Sequence, residues 1–91
     1  MTHVIHKFAL ELVGRTTIFL PAKARVLSVA NQRETLTLWA AVPTTFEGEP
    51  FARVFDSFMT GGEIPDPYAT FLGTFLFHDG AFVCHVFETT P

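Results

Sequence analysis

The 91-residue sequence predicts an all-β domain, a small antiparallel sandwich or open barrel of about six strands. Three observations point there. Six Gly and six Pro break the chain at short intervals. Between them lie short runs rich in β-branched and aromatic residues, several alternating in polarity. Near the C-terminus, Asp79-Gly80 sits between two apolar runs, which is the strongest short-range hairpin signal. A chain of this length has room for one domain.

Taken in order, "HVIHKFALEL" (His3–Leu12) alternates in part and reads as a first strand, turned by "VGR". "TTIFLP" (Thr16–Pro21) is β-branched and stopped by Pro21. "RVLSVA" (Arg25–Ala30) places Val26 and Ser28 on one face and Leu27 and Val29 on the other. "NQRE" (Asn31–Glu34) reads as a four-residue loop, and "TLTLWAAV" (Thr35–Val42) returns with Leu36, Leu38 and Ala40 on one face. "TTFEGEP" (Thr44–Pro50) is a polar loop. "FARVFDSFM" (Phe51–Met59) fits both a strand and a helix, because Phe51, Val54, Phe55 and Phe58 also follow helical spacing. Its aromatic and β-branched content selects the strand. "TGGEIPDPY" (Thr60–Tyr68), with two Gly and two Pro, is an irregular loop.

The closing hairpin has an unusual demand. A two-residue Asp79-Gly80 turn pairs His78 with Ala81, Phe77 with Phe82, Thr74 with His85, Gly73 with Val86 and Leu72 with Phe87. One face then carries Leu72, Thr74, Leu76, Val83, His85 and Phe87, and the other Gly73, Phe75, Phe77, Phe82, Cys84 and Val86. The second face is wholly apolar and the first is apolar around one Thr–His pair. One face belongs to the core. The other needs a cover, either the N-terminal segment or another subunit.

Composition sharpens this demand. Hydrophobic residues make up 48% of the chain, with 11 Phe and only 16% charged residues, well below the usual quarter. Mean hydropathy is +0.32. So small a domain buries only about 60–65% of its unfolded surface, so the surplus predicts a homo-oligomer. Net charge is −3 and the six Lys and Arg are scattered singly. That argues against duplex nucleic acid, while leaving single Arg residues free to meet a small anion. With one Cys no internal disulfide can form, so Cys84 reads as a buried reduced thiol. No apolar run approaches a membrane span, and the N-terminus lacks a signal-peptide layout, so the expected location is cytoplasmic.

No catalytic constellation is legible. Cys84 and His85 point to opposite faces of one strand and cannot act as a dyad. His3 and His6, three apart in a strand, also diverge, and no metal or cofactor motif is present. The carboxylates fall mostly in turns. His85 reads as a half-buried side chain paired with Thr74 or a backbone carbonyl. Alternatively, it is a polar anchor within an apolar pocket. The candidate ligand-facing residues are Arg25, Trp39, Arg53, Thr60, Gly61, Gly62, Glu63 and His85.

Four segments carry a resemblance: "LPAKARVLSV", "LWAAV", "MTGGEI" and "FLGTFLFHDGAFVCHVFE". They resemble a family of small uncharacterised proteins of bacteriophages and prophages, with L-S-V, L-W-A, G-T-F and H-V-F-E motifs. The match spans Leu20 to Glu88, about three quarters of the chain. Where that family has Gly-His-Pro, this chain has Gly61-Gly62-Glu63, so any role of that His is missing here. The basic residue of the family's turn is kept at Arg25. The resemblance implies a phage origin and no known activity. By analogy with small phage β proteins that counter host defence, it suggests a non-enzymatic binding protein that captures a nucleotide-derived immune signal in a pocket between subunits. The alternative is a protein–protein module, an inhibitor of a host protein or an accessory virion part.

Overall fold

The computed structural model describes residues 2–46 and 48–91, and each alternating run forms a strand. Seven strands follow in order: β1 His3–Ala9, β2 Gly14–Leu20, β3 Arg25–Gln32, β4 Thr35–Pro43, β5 Phe51–Met59, β6 Thr70–Phe77 and β7 Phe82–Thr89. Phe51–Met59 is a strand and not a helix. Glu47, inside the predicted polar loop, lies outside the described residues. The described residues contain no helix long and apolar enough to cross a membrane.

The strands form two antiparallel sheets, a smaller one ordered β1-β4-β3 and a larger one ordered β2-β5-β7-β6. The molecule measures 42 × 30 × 15 Å, and its thin dimension fits two sheets about 10 Å apart. Between them pack Leu36, Leu38 and Ala40 of β4, Ile18 and Leu20 of β2, Phe55 of β5, and Phe77, Cys84 and Val86 of the closing hairpin. The wholly apolar face of that hairpin is therefore its core face.

Two β-bulges correct the predicted faces. One falls between Val26 and Ser28, so Val26 and Val29 both pack on the core while Leu27 turns outward. The other falls between Phe71 and Gly73, so Phe71 and not Leu72 pairs with Phe87. Leu72 then packs against the core. A bulge adds one residue to one strand and reverses which side its neighbours face. Gly73 beside it leaves room for the Phe75 ring, whose tip would lie 2.5 Å from a Cβ there and would have to move.

Both hairpin turns also differ from expectation. The β3–β4 loop has two residues, with Gln32 paired to Thr35 and with Arg33 and Glu34 both at positive φ (50° and 66°). The β6–β7 loop has four residues, with positive φ at His78, Asp79 and Gly80. Its register nonetheless matches the prediction from Phe77–Phe82 to Gly73–Val86. Left-handed non-glycine residues cost about 1–3 kcal/mol each and need outside support. Asn31 and Glu34 supply it. Asn31 Nδ2 donates to Glu34 Oε2 (3.0 Å) and to the Leu76 carbonyl (2.8 Å), while Glu34 N–H donates to Asn31 Oδ1 (2.8 Å). The His78 N–H donates to Glu34 Oε1 (2.9 Å). The two tips are thus clasped to each other where β3 approaches β6.

The N-terminal strand belongs to the smaller sheet and does not overlay the closing hairpin. Cover for the hairpin's outer face comes in part from the Thr60–Ala69 connection. Strands β5 and β6 run parallel on either side of β7, so this connection must cross β7. It crosses on the outer side, where Thr60 reaches His85 and Ile64 lines one groove with Phe71 and Phe87. Its far end is held by Asp66, whose carboxylate accepts from the Tyr68 and Thr90 amides and the Thr90 hydroxyl.

Two ion pairs tie the larger sheet. Arg15 meets Asp56 in a two-pronged pair (3.0 and 3.1 Å), and the Thr89 hydroxyl donates to Asp56 Oδ2 (2.8 Å). Arg53 pairs with Glu88 (2.7 and 2.8 Å) and donates from Nη1 to the Ala24 carbonyl (2.9 Å). Two outcomes test this architecture. Phe55→Ala should lose about 3–5 kcal/mol in a denaturant titration, as for other buried Phe truncations, while exposed Tyr68→Ala stays within about 0.5 kcal/mol. The carboxyls of Asp56 (bonded to Arg15), Glu34 (bonded to Asn31) and Asp66 (bonded to Thr90) are all held below the ordinary carboxylate range. A depressed carboxyl stabilises the fold above its unfolded pKa, about 4. Thermal scans should therefore show that contribution intact at neutral pH and falling progressively below about pH 4.

Candidate functional site

The outer face of the larger sheet carries an apolar cluster beside the Arg15–Asp56 pair. Phe19 of β2 is 67% exposed, and Phe71 and Leu76 of β6 are each 57% exposed. Phe58 of β5 and Phe87 of β7 lie half-buried between them, in edge contact at 5.9 Å between ring centres. Phe71 tilts against Phe87 at 5.3 Å. Strand pairing explains this cluster. Phe58 lies opposite His85, Phe71 opposite Phe87, and Thr74 opposite His85.

His85 is the polar centre of the cluster. Its Nδ1 lies 2.9 Å from Thr74 Oγ1 and its Nε2 lies 2.8 Å from Thr60 Oγ1. A neutral imidazole has one donor and one acceptor nitrogen, so one hydroxyl accepts from the ring and the other donates to it. The Thr74 pairing follows the predicted register, whereas the Thr60 contact was invisible in it. Thr60 is brought there by a tight turn in which Gly62 N–H donates to the Met59 carbonyl at 2.9 Å. Gly61, at φ 91°, occupies the third position of that turn, where positive φ favours glycine.

Phe58, Met59, Thr60, Gly61, Gly62, Ile64, Phe71, His85 and Phe87 line a groove of about 220 Å³. A pocket enclosing a drug-sized ligand usually exceeds about 300 Å³. The groove is smaller than that and would enclose such a ligand only in part.

The structure therefore brings together Thr60, Gly61, Gly62 and His85, with exposed Glu63 following in the same loop. The other three candidates lie elsewhere. Arg53 is occupied by Glu88 and Ala24. Arg25 is exposed on β3 and Trp39 is half-buried on β4, both in the smaller sheet. Among the described residues no Lys or Arg lines the groove. On the smaller sheet, Lys7 and Arg33 line one cleft of about 360 Å³ with Gln32 and Thr35. Sequence reasoning missed Phe58, Phe71 and Phe87 as groove walls. Their signal was present in the alternation of β5 and β7, but the bulge at Leu72 concealed the position of Phe71.

Among the described residues no three His, Cys, Asp or Glu side chains are grouped to hold a metal. Cys84 is fully buried, and burial pushes its thiol up from the ordinary value, which keeps it protonated and unreactive.

Substituting Gly61 tests the link between turn and groove. Gly61→Ala places a Cβ at positive φ and should cost about 1–3 kcal/mol. In the same variant, the His85 ring resonances should shift as the Thr60 contact loosens, which NMR will report.

The whole chain, residues 1–91, matches the family described as a domain of unknown function, DUF7352, and the protein belongs to that family. No curated protein and no solved structure matches it.

Proposed function

We propose that the protein is a non-enzymatic binding protein whose working surface is the outer face of the larger sheet. The observation behind this reading is the groove itself: three Phe rings around one His, with no array of reactive groups beside it. A flat aromatic molecule suits such a lining. Aromatic side chains stack on a heterocyclic base, typically contributing about 1–3 kcal/mol per base. The His85–Thr60 and His85–Thr74 pairs offer donors and acceptors to its edge. A nucleotide-derived signal is held by its base, and its phosphates extend beyond the groove, where the lining has no cation. If the chain is phage-encoded, as its motifs suggest, capture of such a signal would blunt a host defence.

A second reading has its own observation. Phe19 and Leu76 are exposed on this face outside the groove, so one small ligand cannot cover them. Their exposure favours a protein partner laid across the whole sheet.

Thermal shift against nucleosides, cyclic nucleotides and ADP-ribose isomers tests capture. A ligand at 100 times its Kd should stabilise the fold by about 2.7 kcal/mol, and Phe71→Ala should remove the shift. No shift from any member overturns capture. Amide exchange separates the readings by footprint. A small ligand protects only the groove segments, whereas a protein partner also protects the backbone around Phe19 and Leu76.

A further inference from the structure

We propose that two copies of the chain join through the free edge of β1, antiparallel about His6, so that the two smaller sheets become one continuous sheet. This pairing does not depend on what the groove holds.

The backbone defines the edge. Successive residues of a strand direct their N–H and C=O groups alternately to its two sides. Leu10 N–H donates to the Leu36 carbonyl and Thr44 N–H to the Thr2 carbonyl. These two bonds share the unbroken β1–β4 register, so the even-numbered residues of β1 face β4. His3, Ile5, Lys7 and Ala9 therefore aim their backbone groups outward, away from the sheet. Among the described residues no backbone partner meets them. Long, open edges of this kind invite another strand unless they are blocked.

The side chains favour β1 over β2, the free edge of the larger sheet. On β2, the core-facing Ile18 and Leu20 are already buried. On β1, only Phe8 of the core-facing residues packs on the core, half-buried, while Val4 is 46% exposed and His6 is exposed. On the opposite side Ile5 is 64% exposed. Lys7 is the one lysine on this strand, the residue type that commonly guards an edge. Its Nζ instead donates to Gln32 Oε1 at 3.3 Å, which carries the side chain back over its own sheet.

The strand is also complementary to itself. Centred on His6, its sequence pairs Val4 with Phe8 of a second copy, Ile5 with Lys7, and His3 with Ala9. Every residue of β1 is used, apolar meets apolar at Val4–Phe8, and the Lys7 stem lies along Ile5. Outward-facing residues meet outward-facing residues, as hydrogen-bonded pairs require. A centre at Lys7 would instead set two ammonium groups opposite each other.

Light scattering and oxidative cross-linking test the pairing. The expected mass is twice 10.1 kDa. His6 faces its own copy in a non-hydrogen-bonded pair, about 4.5 Å between Cα atoms, a span that suits a disulfide. His6→Cys should cross-link the dimer, and Lys7→Cys, offset from its own copy by two residues, should not. Ile5→Pro removes one outward N–H and no bond to β4, so it should give a folded monomer. A monomer at every concentration overturns the proposal. So does a dimer that persists in Ile5→Pro, or one in which Lys7→Cys cross-links as readily as His6→Cys. Either of the latter results moves the contact to another surface.

Discussion

The clasp between the two hairpin tips sets the plan of the molecule. The edges of the two sheets come close where β3 runs beside β6, and no backbone ladder joins them there. Asn31 and Glu34 do that work instead, each bonding within its own turn and to the opposite hairpin. Holding the sheets together on that side leaves the other side open. The open side is where β1 and β2 end their sheets, each with an unpaired edge. Closure by side chains at one seam thus determines where the free edges lie.

The apolar surplus is resolved into separate locations by this arrangement. The core absorbs the Phe55, Phe77, Cys84 and Val86 side chains. The crossing connection partly shelters the outer face, with Val54, Asp56 and Thr89 buried there. Part of what is left uncovered lies around the groove, at Met59, Ile64 and Phe71, and part along β1, at Val4 and Ile5, two surfaces on different sheets. A binding surface and an assembly edge can therefore act without competing for the same residues.

Much of this plan was legible in the sequence because alternation and turn chemistry are local. The Phe51–Met59 strand and the Phe77–Phe82 register are examples. The bulges at Leu27 and Leu72 were not legible, since an inserted residue leaves the apolar count unchanged while reversing the faces. The short Arg33-Glu34 turn was hidden for another reason: it lacks the glycine that its conformation favours and draws support from Asn31 and the neighbouring hairpin. In the site, Thr74–His85 followed from a turn within one hairpin. Thr60–His85 required knowing that β7 lies beside β5, a pairing across 25 residues of chain. The candidate arginines fared differently because a charge's partner is decided by topology. Glu88, which occupies Arg53, stands 35 residues away.

The position of β7 also bears on when the protein can take shape. It is the last strand in the sequence, yet it lies inside the larger sheet, with β5 on one side and β6 on the other. Until Phe82–Thr89 has been synthesised and has left the ribosome, β5 and β6 have no strand between them. The Thr60–Ala69 connection then has nothing to cross. The chain emerges with its Phe-rich segments waiting on their final partner, a period in which unpaired strands are open to wrong association. Such a topology ties formation of the larger sheet to the synthesis of β7, so that chains interrupted before it cannot assemble that sheet.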